Sequence, residues 1–130
     1  PKGALELTDA EQMNFIDTLN KSRRRDRSRR LLLMRLEAAM PNGSILQMTS
    51  DATVEHILPK AGGAAWEMLF PDKAMRAEAA NLLGNLTLLT EAQNTACGAK
   101  GYAEKRKIFF NTPNAPIHAL TRDLVGIEDW

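Results

Sequence analysis

Apolar residues recur at helical spacing in the first third of the chain. Thr8 and Glu11 have the spacing of a capping box, in which two side chains satisfy backbone amides at the start of a helix. The apolar positions that follow lie three residues apart: Met13, Ile16 and Leu19. Farther on, LLLMRLEAAM (residues 31–40) is dense in apolar residues and stops at Pro41, which predicts a buried helix whose leucines belong to the core.

The pattern then becomes extended over residues 44–59, which include the segment TVEHILPK. A β-strand sends successive side chains to opposite faces, so His56 is expected to share a face with Val54, and Glu55 with Ile57. A glutamate beside a histidine within an apolar strand raises the question of function. By itself, however, the pair is also typical of a half-buried strand whose histidine packs or meets solvent.

A short helix and a longer one are predicted between this strand and a second. The short helix follows the flexible AGG segment, and its Trp66 and Phe70 are expected to pack. Asp72 can cap the longer helix, KAMRAEAANLL, which Gly84 is expected to end in a left-handed conformation. NLTLL, residues 85–89, then predicts a brief second strand.

The second strand leads directly into another capped helix. Thr90 and Gln93 repeat the capping-box spacing, so this helix carries Asn94 in its first turn. Two glycines interrupt it before YAEKRKIFF resumes helical character, and a last helix with a tail is predicted within residues 116–130. The fold class is therefore predicted to be α+β and mostly helical.

Length and composition limit the possible classes of protein. The 130 residues, 44% of them hydrophobic, predict one globular domain over residues 1–130. The chain has neither a run of about 18 apolar residues nor a secretion signal, so we expect no membrane association and a cytoplasmic location. The single Cys97 excludes an internal disulfide and a zinc site built from cysteines. Because the chain begins at Pro1 rather than Met, we expect it to be a C-terminal fragment of a longer protein.

Positive charge is concentrated in one segment. Residues 21–35 contain eight basic residues and one acid, although the whole chain has a net charge of only +1. Such a block can contact nucleic acid or form a solvated helix face, and the sequence favours neither. The arginines considered for DNA contact are Arg23, Arg25 and Arg27.

Three segments in order, VEHILPK, LLGNLTLLTEAQN and KGYAEKR, resemble the C-terminal nuclease domain of GmrSD-type modification-dependent restriction endonucleases. These belong to the HNH, or His-Me finger, nucleases. The resemblance covers roughly residues 28–130 and implies a ββα-metal core of two short strands and a helix, surrounded by further helices. Asn85 and Asn94 are nine residues apart, as are the middle and metal-binding asparagines of the HNH nuclease in RNA-guided DNA endonucleases.

The resemblance implies a role for each motif residue. His56 would activate water for phosphodiester hydrolysis, and Asn85 would brace the loop after the histidine strand. Glu55 and Asn94 would bind Mg²⁺, which Mn²⁺ can replace, because both offer the oxygen ligands that these ions prefer. One objection concerns strand geometry: Glu55 and His56 point in opposite directions unless the backbone becomes irregular near Pro59 or the metal lies at the edge of the strand.

Two further features complete the expectations. Family members commonly carry another Asn or His shortly after the ligand Asn, whereas this chain has Gly98 and Ala99, so we expect only two protein ligands to the metal. His118 matches no motif and is predicted to be a packing or surface residue. Basic side chains near the motifs would contact DNA phosphates, although they are also typical of solvated helix charges: Lys60, Lys100, Lys105, Arg106 and Lys107.

The sequence thus predicts a metal-dependent endonuclease that nicks or cleaves double-stranded DNA. It would be the effector domain of an antiphage, modification-dependent restriction protein whose N-terminal domain senses modification or hydrolyses nucleotide. Two other functions remain open. One is a catalytically inactive module that binds nucleic acid, and the other is an interaction domain that docks its arginine-rich helix on a partner domain.

Overall fold

The computed structural model of the protein describes residues 6–20, 26–41 and 51–130. Within these ranges the chain forms seven α-helices and two β-strands, so the fold is α+β as predicted. The helices are α1 (Asp9–Asn20), α2 (Asp26–Ala39), α3 (Ala64–Leu69), α4 (Lys73–Ala79), α5 (Glu91–Cys97), α6 (Tyr102–Asn111) and α7 (Ala119–Arg122). The strands are β1 (Ala52–His56) and β2 (Leu86–Thr90).

The two strands form an antiparallel sheet whose register fixes the two faces. Val54 lies opposite Leu88, and His56 lies opposite Leu86. Because side chains alternate along a strand, these residues share one face, while Glu55 lies on the other face opposite Thr87. β2 leads without a break into α5, so the order of elements in this part of the chain is strand, strand, helix.

Each face of the sheet packs on its own apolar cluster. On the face of Val54, Leu86 and Leu88 are buried together with Leu33 of α2. On the face of Glu55, Leu89 joins a larger cluster to which α3, α5 and α6 contribute: Trp66, Cys97, Tyr102 and Phe109. Because both faces are covered, β1 and β2 lie in the interior of the domain between α2 and the α5–α6 pair.

Side chains from four helices bind backbone carbonyls of the two strands. In an antiparallel pair, alternate carbonyls of each strand point away from the partner strand. On β1, Arg30 Nε donates to the Ala52 carbonyl at 2.8 Å, Asn94 Nδ2 to the Val54 carbonyl at 3.0 Å, and Lys105 Nζ to the His56 carbonyl at 2.8 Å. On β2, Thr121 Oγ1 donates to the Leu88 carbonyl at 2.7 Å. Helices α2, α5, α6 and α7 are therefore fixed to the sheet by side-chain hydrogen bonds.

Local helix signals were read correctly from the sequence. Thr8 and Glu11 form the predicted capping interaction at the start of α1, and Thr90 and Gln93 form a complete capping box at the start of α5. The predicted break between α5 and α6 is present, with Gly98 at a positive φ of 46°, which favours glycine.

The end of α4 differs from the prediction. The helix ends at Ala79, and Gly84 lies in a 3₁₀ turn without a positive φ. Tighter turns follow, in which the Asn81 amide donates to the Glu78 carbonyl at 3.1 Å, and the carbonyl of Ala80 accepts a hydrogen bond from the Asn85 side chain at 3.1 Å.

Two expectations about packing were also wrong in part. Leu33 is buried, but Leu31 is 57% exposed, because a helix cannot direct consecutive leucines to one side. Phe70 stacks on the buried Trp66 with ring centroids 6.5 Å apart, yet remains 39% exposed. The extended stretch predicted from residue 44 is observed from Ala52, and residues 42–50 lie outside the described part of the chain. In the described ranges, the structure contains no helix with the length and apolarity needed to cross a bilayer.

Candidate active site

Asn94 lies against the outer edge of β1. The capping box at Thr90 sets the first turn of α5, and this turn carries Asn94 to the strand. Its Nδ2 donates to Thr53 Oγ1 at 2.9 Å and to the Val54 carbonyl at 3.0 Å. Both amide protons are therefore used to fix the side chain, and the carbonyl oxygen Oδ1 is left as its potential ligand atom. Since Thr53 and Glu55 are alternate residues of one strand, Asn94 lies on the same side of β1 as Glu55.

Glu55 is buried and forms an ion pair with Lys105 of α6. The Glu55 side chain is 5% exposed, that of Lys105 is 0% exposed, and Nζ lies 2.5 Å from Oε1. Burial raises the pKa of the Glu55 carboxyl above its ordinary value, while the hydrogen bond and the charge of Lys105 act in the opposite direction. The position of Lys105 corrects its assignment as a DNA contact, because a fully buried ammonium cannot reach a phosphate in solvent.

His56 is the last residue of β1 and is half-buried. Its side chain begins on the face opposite to that of Glu55, as strand alternation requires, and its Nε2 atom is buried. The strand ends here, and the next amide, that of Ile57, donates to the Asn85 carbonyl at 3.0 Å. The objection raised from the sequence is therefore correct for the faces of the sheet. Glu55 and His56 nevertheless share one partner at the end of β1, because Lys105 binds both the Glu55 carboxylate and the His56 carbonyl.

Asn85 joins the chain after His56 to the turn before β2. It is 5% exposed. Its Oδ1 accepts from the Leu58 amide at 2.7 Å, and its Nδ2 donates to the Leu58 carbonyl at 2.9 Å. These contacts attach Asn85 to the backbone two residues after His56. Trp130 adds a further hydrogen bond, from Nε1 to Asn85 Oδ1 at 3.2 Å. Sequence reasoning missed this contact, since no local pattern links residues 45 positions apart.

The cations predicted to contact DNA occupy different environments. Lys60, Lys107 and Arg27 are exposed, as is Lys100, whose Nζ donates to the Ala96 carbonyl at 2.7 Å. Arg106 is half-buried: its guanidinium lies 5.8 Å from the centroid of the Phe110 ring and donates to the Val125 carbonyl. Arg23 and Arg25 lie outside the described residues. Of the predicted DNA contacts that the structure describes, Lys60, Lys100, Lys107 and Arg27 are therefore the exposed ones.

The donors near β1 suit a hard divalent ion bound by few protein ligands. Glu55 offers a carboxylate and Asn94 an amide oxygen, a donor set that suits magnesium or manganese held together with water and phosphate. Within the described ranges the structure contains no group of three or more His, Cys, Asp or Glu side chains that could hold a metal. One oxygen of the Glu55 carboxylate, Oε1, is already bound by the ammonium of Lys105.

His118 lies away from these residues and packs in the interior, as one of its two predicted alternatives stated. It is 6% exposed, and its Nδ1 is 3.8 Å from Glu37 Oε1. Glu37 in turn accepts hydrogen bonds from the amides of Ala119 at 2.6 Å and Leu120 at 2.9 Å. Burial lowers the pKa of His118, and the Glu37 carboxylate acts against that shift. These contacts assign His118 and Glu37 to the attachment of α7.

One comparison with known proteins gives a match. The model of the family described as GmrSD restriction endonucleases, C-terminal domain, matches residues 8–130, which is nearly the whole chain. No curated protein and no solved structure gives a significant match.

Proposed function

The chain belongs to the family of GmrSD restriction endonuclease C-terminal domains, and from this premise we propose that it is an HNH nuclease domain that nicks or cleaves double-stranded DNA. One observation carries the proposal. The β1–β2–α5 unit brings Glu55 and Asn94 to the same side of β1, while Asn85 clamps the chain that follows His56.

Hydrolysis of a phosphodiester needs a base for the attacking water and a cation for the charge that gathers on the phosphate. We assign the base to His56, because histidine is the commonest general base and this one stands at the end of β1. Asn85 supports that role by fixing both backbone polar groups of Leu58, two residues after the histidine. Lys105 fixes the His56 carbonyl from the other direction.

The metal site consists of Glu55 and Asn94. Mg²⁺, or Mn²⁺ in its place, would supply positive charge to the phosphate and to the leaving oxygen. The Asn94 side chain is oriented by its two hydrogen bonds to β1, so its Oδ1 is held in one position. The Glu55 carboxylate is held by Lys105, and the short helix α5 and strand β1 thus define the two sides of the site.

DNA contacts are proposed for the exposed cations Lys60, Lys100, Lys107 and Arg27. Such side chains bind the phosphate backbone and carry little sequence information. Recognition of modified DNA is therefore assigned to a separate sensor or nucleotide-hydrolysing domain of a longer cytoplasmic antiphage protein, for which residues 1–130 form the effector domain.

A second candidate function is a module that binds DNA without cleaving it. The observation that favours it is the Glu55–Lys105 ion pair, in which one of the two proposed metal ligands is already neutralised by a protein cation. The two candidates differ in one result, which is cleavage in the presence of a divalent ion.

The deciding experiment incubates supercoiled plasmid with the protein and Mg²⁺ or Mn²⁺. EDTA and His56→Ala serve as negative controls, and His118→Ala, which removes the other histidine, is the matched variant once its folding has been verified by circular dichroism. We expect nicked or linear plasmid with wild type and His118→Ala only. Binding without cleavage under either ion would select the inactive module, and absence of DNA binding at low salt would point to the interaction domain.

A further inference from the structure

Lys105 is a lysine without access to solvent, which is rare because burial of an ammonium costs more than one hydrogen bond returns. It belongs to the first half of α6, and its side chain reaches β1, 50 positions earlier in the chain. The exposed lysine of the same helix, Lys107, shows the ordinary arrangement. A buried lysine in this position therefore requires an explanation from its partners.

The partners of Lys105 are the two neighbouring residues of the histidine strand. Nζ lies 2.5 Å from Glu55 Oε1 and 2.8 Å from the His56 carbonyl oxygen. Among the described residues, no side chain or backbone donor binds the second carboxylate oxygen, Oε2 of Glu55. The ammonium of Lys105 thus binds one of the two oxygens of the Glu55 carboxylate, and it also fixes the last peptide group of β1 through the His56 carbonyl.

We propose that Lys105 is a positioning residue that shares the Glu55 carboxylate with the divalent ion. Its ammonium retains Oε1 when the metal binds, so Glu55 ligates the metal through Oε2 alone, and the same ammonium keeps His56 in place through its carbonyl. The inference rests on the proposed function, because it takes Glu55 as a metal ligand and His56 as the base.

Sharing has two consequences of opposite sign. A divalent ion and an ammonium about 5 Å apart repel each other enough, even at the dielectric constant of water, to change an equilibrium roughly tenfold. The charge of Lys105 therefore weakens metal binding. The hydrogen bond to the His56 carbonyl, in contrast, supports turnover. Removing the ammonium should strengthen metal binding and slow cleavage, whereas loss of a merely structural residue would weaken both.

Two variants and one control test this difference. Lys105→Met removes the charge and retains the length of the side chain, Lys105→Gln also retains a hydrogen-bond donor, and the exposed Lys73→Met is the control. Mg²⁺ binding is measured by titration calorimetry at the same pH for the wild type and all variants. We expect about tenfold tighter binding for both Lys105 variants, a lower maximal cleavage rate, and no change for Lys73→Met. Equal or weaker Mg²⁺ binding in a folded Lys105 variant would overturn the inference.

A measurement on the wild-type protein keeps the inference testable if neither Lys105 variant folds. The buried ammonium of Lys105 is shielded from exchange with water, so its ¹⁵Nζ signal should be observable by NMR. If Lys105 and Mg²⁺ bind the Glu55 carboxylate together, Mg²⁺ should shift the ¹⁵Nζ signal of Lys105 and leave it visible. A signal that disappears would mean that the metal displaces the lysine, and a signal that does not respond would mean that the metal binds elsewhere; either result excludes sharing.

Plasmid cleavage by the wild type separates this inference from the proposed function. If Mg²⁺ shifts the Lys105 signal but the protein does not cleave DNA, the nuclease proposal fails and the shared carboxylate stands. If the protein cleaves DNA while Mg²⁺ leaves the Lys105 signal unchanged and the Lys105 variants bind Mg²⁺ as the wild type does, the nuclease proposal stands. The inference that Lys105 and the metal share the Glu55 carboxylate is then wrong.

Discussion

Replacement of Asn85 by alanine should destabilise the domain substantially. The side chain satisfies three buried backbone groups: the Leu58 amide at 2.7 Å, the Leu58 carbonyl at 2.9 Å and the Ala80 carbonyl at 3.1 Å. Each buried group that loses its partner costs about 1 to 3 kcal/mol, so the free energy of unfolding should fall by about 3 kcal/mol or more. Asn85→Asp tests the cause, because it keeps the volume but replaces the amide that donates to both carbonyls.

Urea denaturation followed by circular dichroism measures this loss. The matched control is Asn81→Ala, since Asn81 makes one side-chain hydrogen bond, to the Ala77 carbonyl at 3.0 Å, at the exposed end of α4. We expect a change of less than about 1 kcal/mol for the control, and a loss for Asn85→Asp at least as large as that for Asn85→Ala. A loss below about 1 kcal/mol for Asn85→Ala, or a stable Asn85→Asp protein, would refute the view that these bonds hold the histidine loop.

Four further predictions concern catalysis, metal binding, DNA binding and thiol chemistry. His56→Ala should lower the rate of plasmid cleavage by about 10² to 10⁴ while DNA affinity in a gel-shift assay is retained, and residual cleavage within about threefold of wild type would remove His56 from the mechanism. Asn94→Ala should raise the Mg²⁺ concentration needed for cleavage, with partial rescue by high Mn²⁺, whereas the exposed Asn111→Ala should not; equal metal requirements would show that Asn94 is no ligand. Arg27→Ala should reduce the salt dependence of DNA binding by about 0.9 in log–log slope if Arg27 contacts one phosphate, and an unchanged slope argues against that contact. Burial, with a smaller contribution from the Glu55 charge, raises the pKa of the Cys97 thiol to about 12, so the folded protein holds almost no thiolate at pH 8. Cys97 should therefore react with Ellman's reagent only in denaturant, and rapid reaction of the native protein would contradict this burial.

Elements set by local interactions could be predicted from the sequence. The capping boxes at Thr8 and Thr90 involve residues three positions apart, and the structure contains both. The strands β1 and β2 were predicted because apolar residues with high strand propensity lie between turn signals, and the second is offset by a single residue. The family resemblance read from three short segments was confirmed over residues 8–130.

Features set by contacts between distant residues could not be predicted. Nothing near Lys105 in the sequence indicates that it, and not its neighbour Lys107, enters the core to meet a carboxylate 50 positions away. Arg30 was counted with the charged segment, yet its Nε binds the Ala52 carbonyl.

The side chains along β1 have a consequence for self-association. An edge strand with bare carbonyls can pair with a strand of another molecule, which is a common route to aggregation. Here Arg30, Asn94 and Lys105 take up the carbonyls of Ala52, Val54 and His56 in turn. Two of these three residues, Asn94 and Lys105, also have roles in the proposed metal site, so substitutions that test that site expose the same edge. Variants at Asn94 and Lys105 should therefore be less soluble than the wild-type protein, and their DNA cleavage and Mg²⁺ binding have to be measured on monomeric protein.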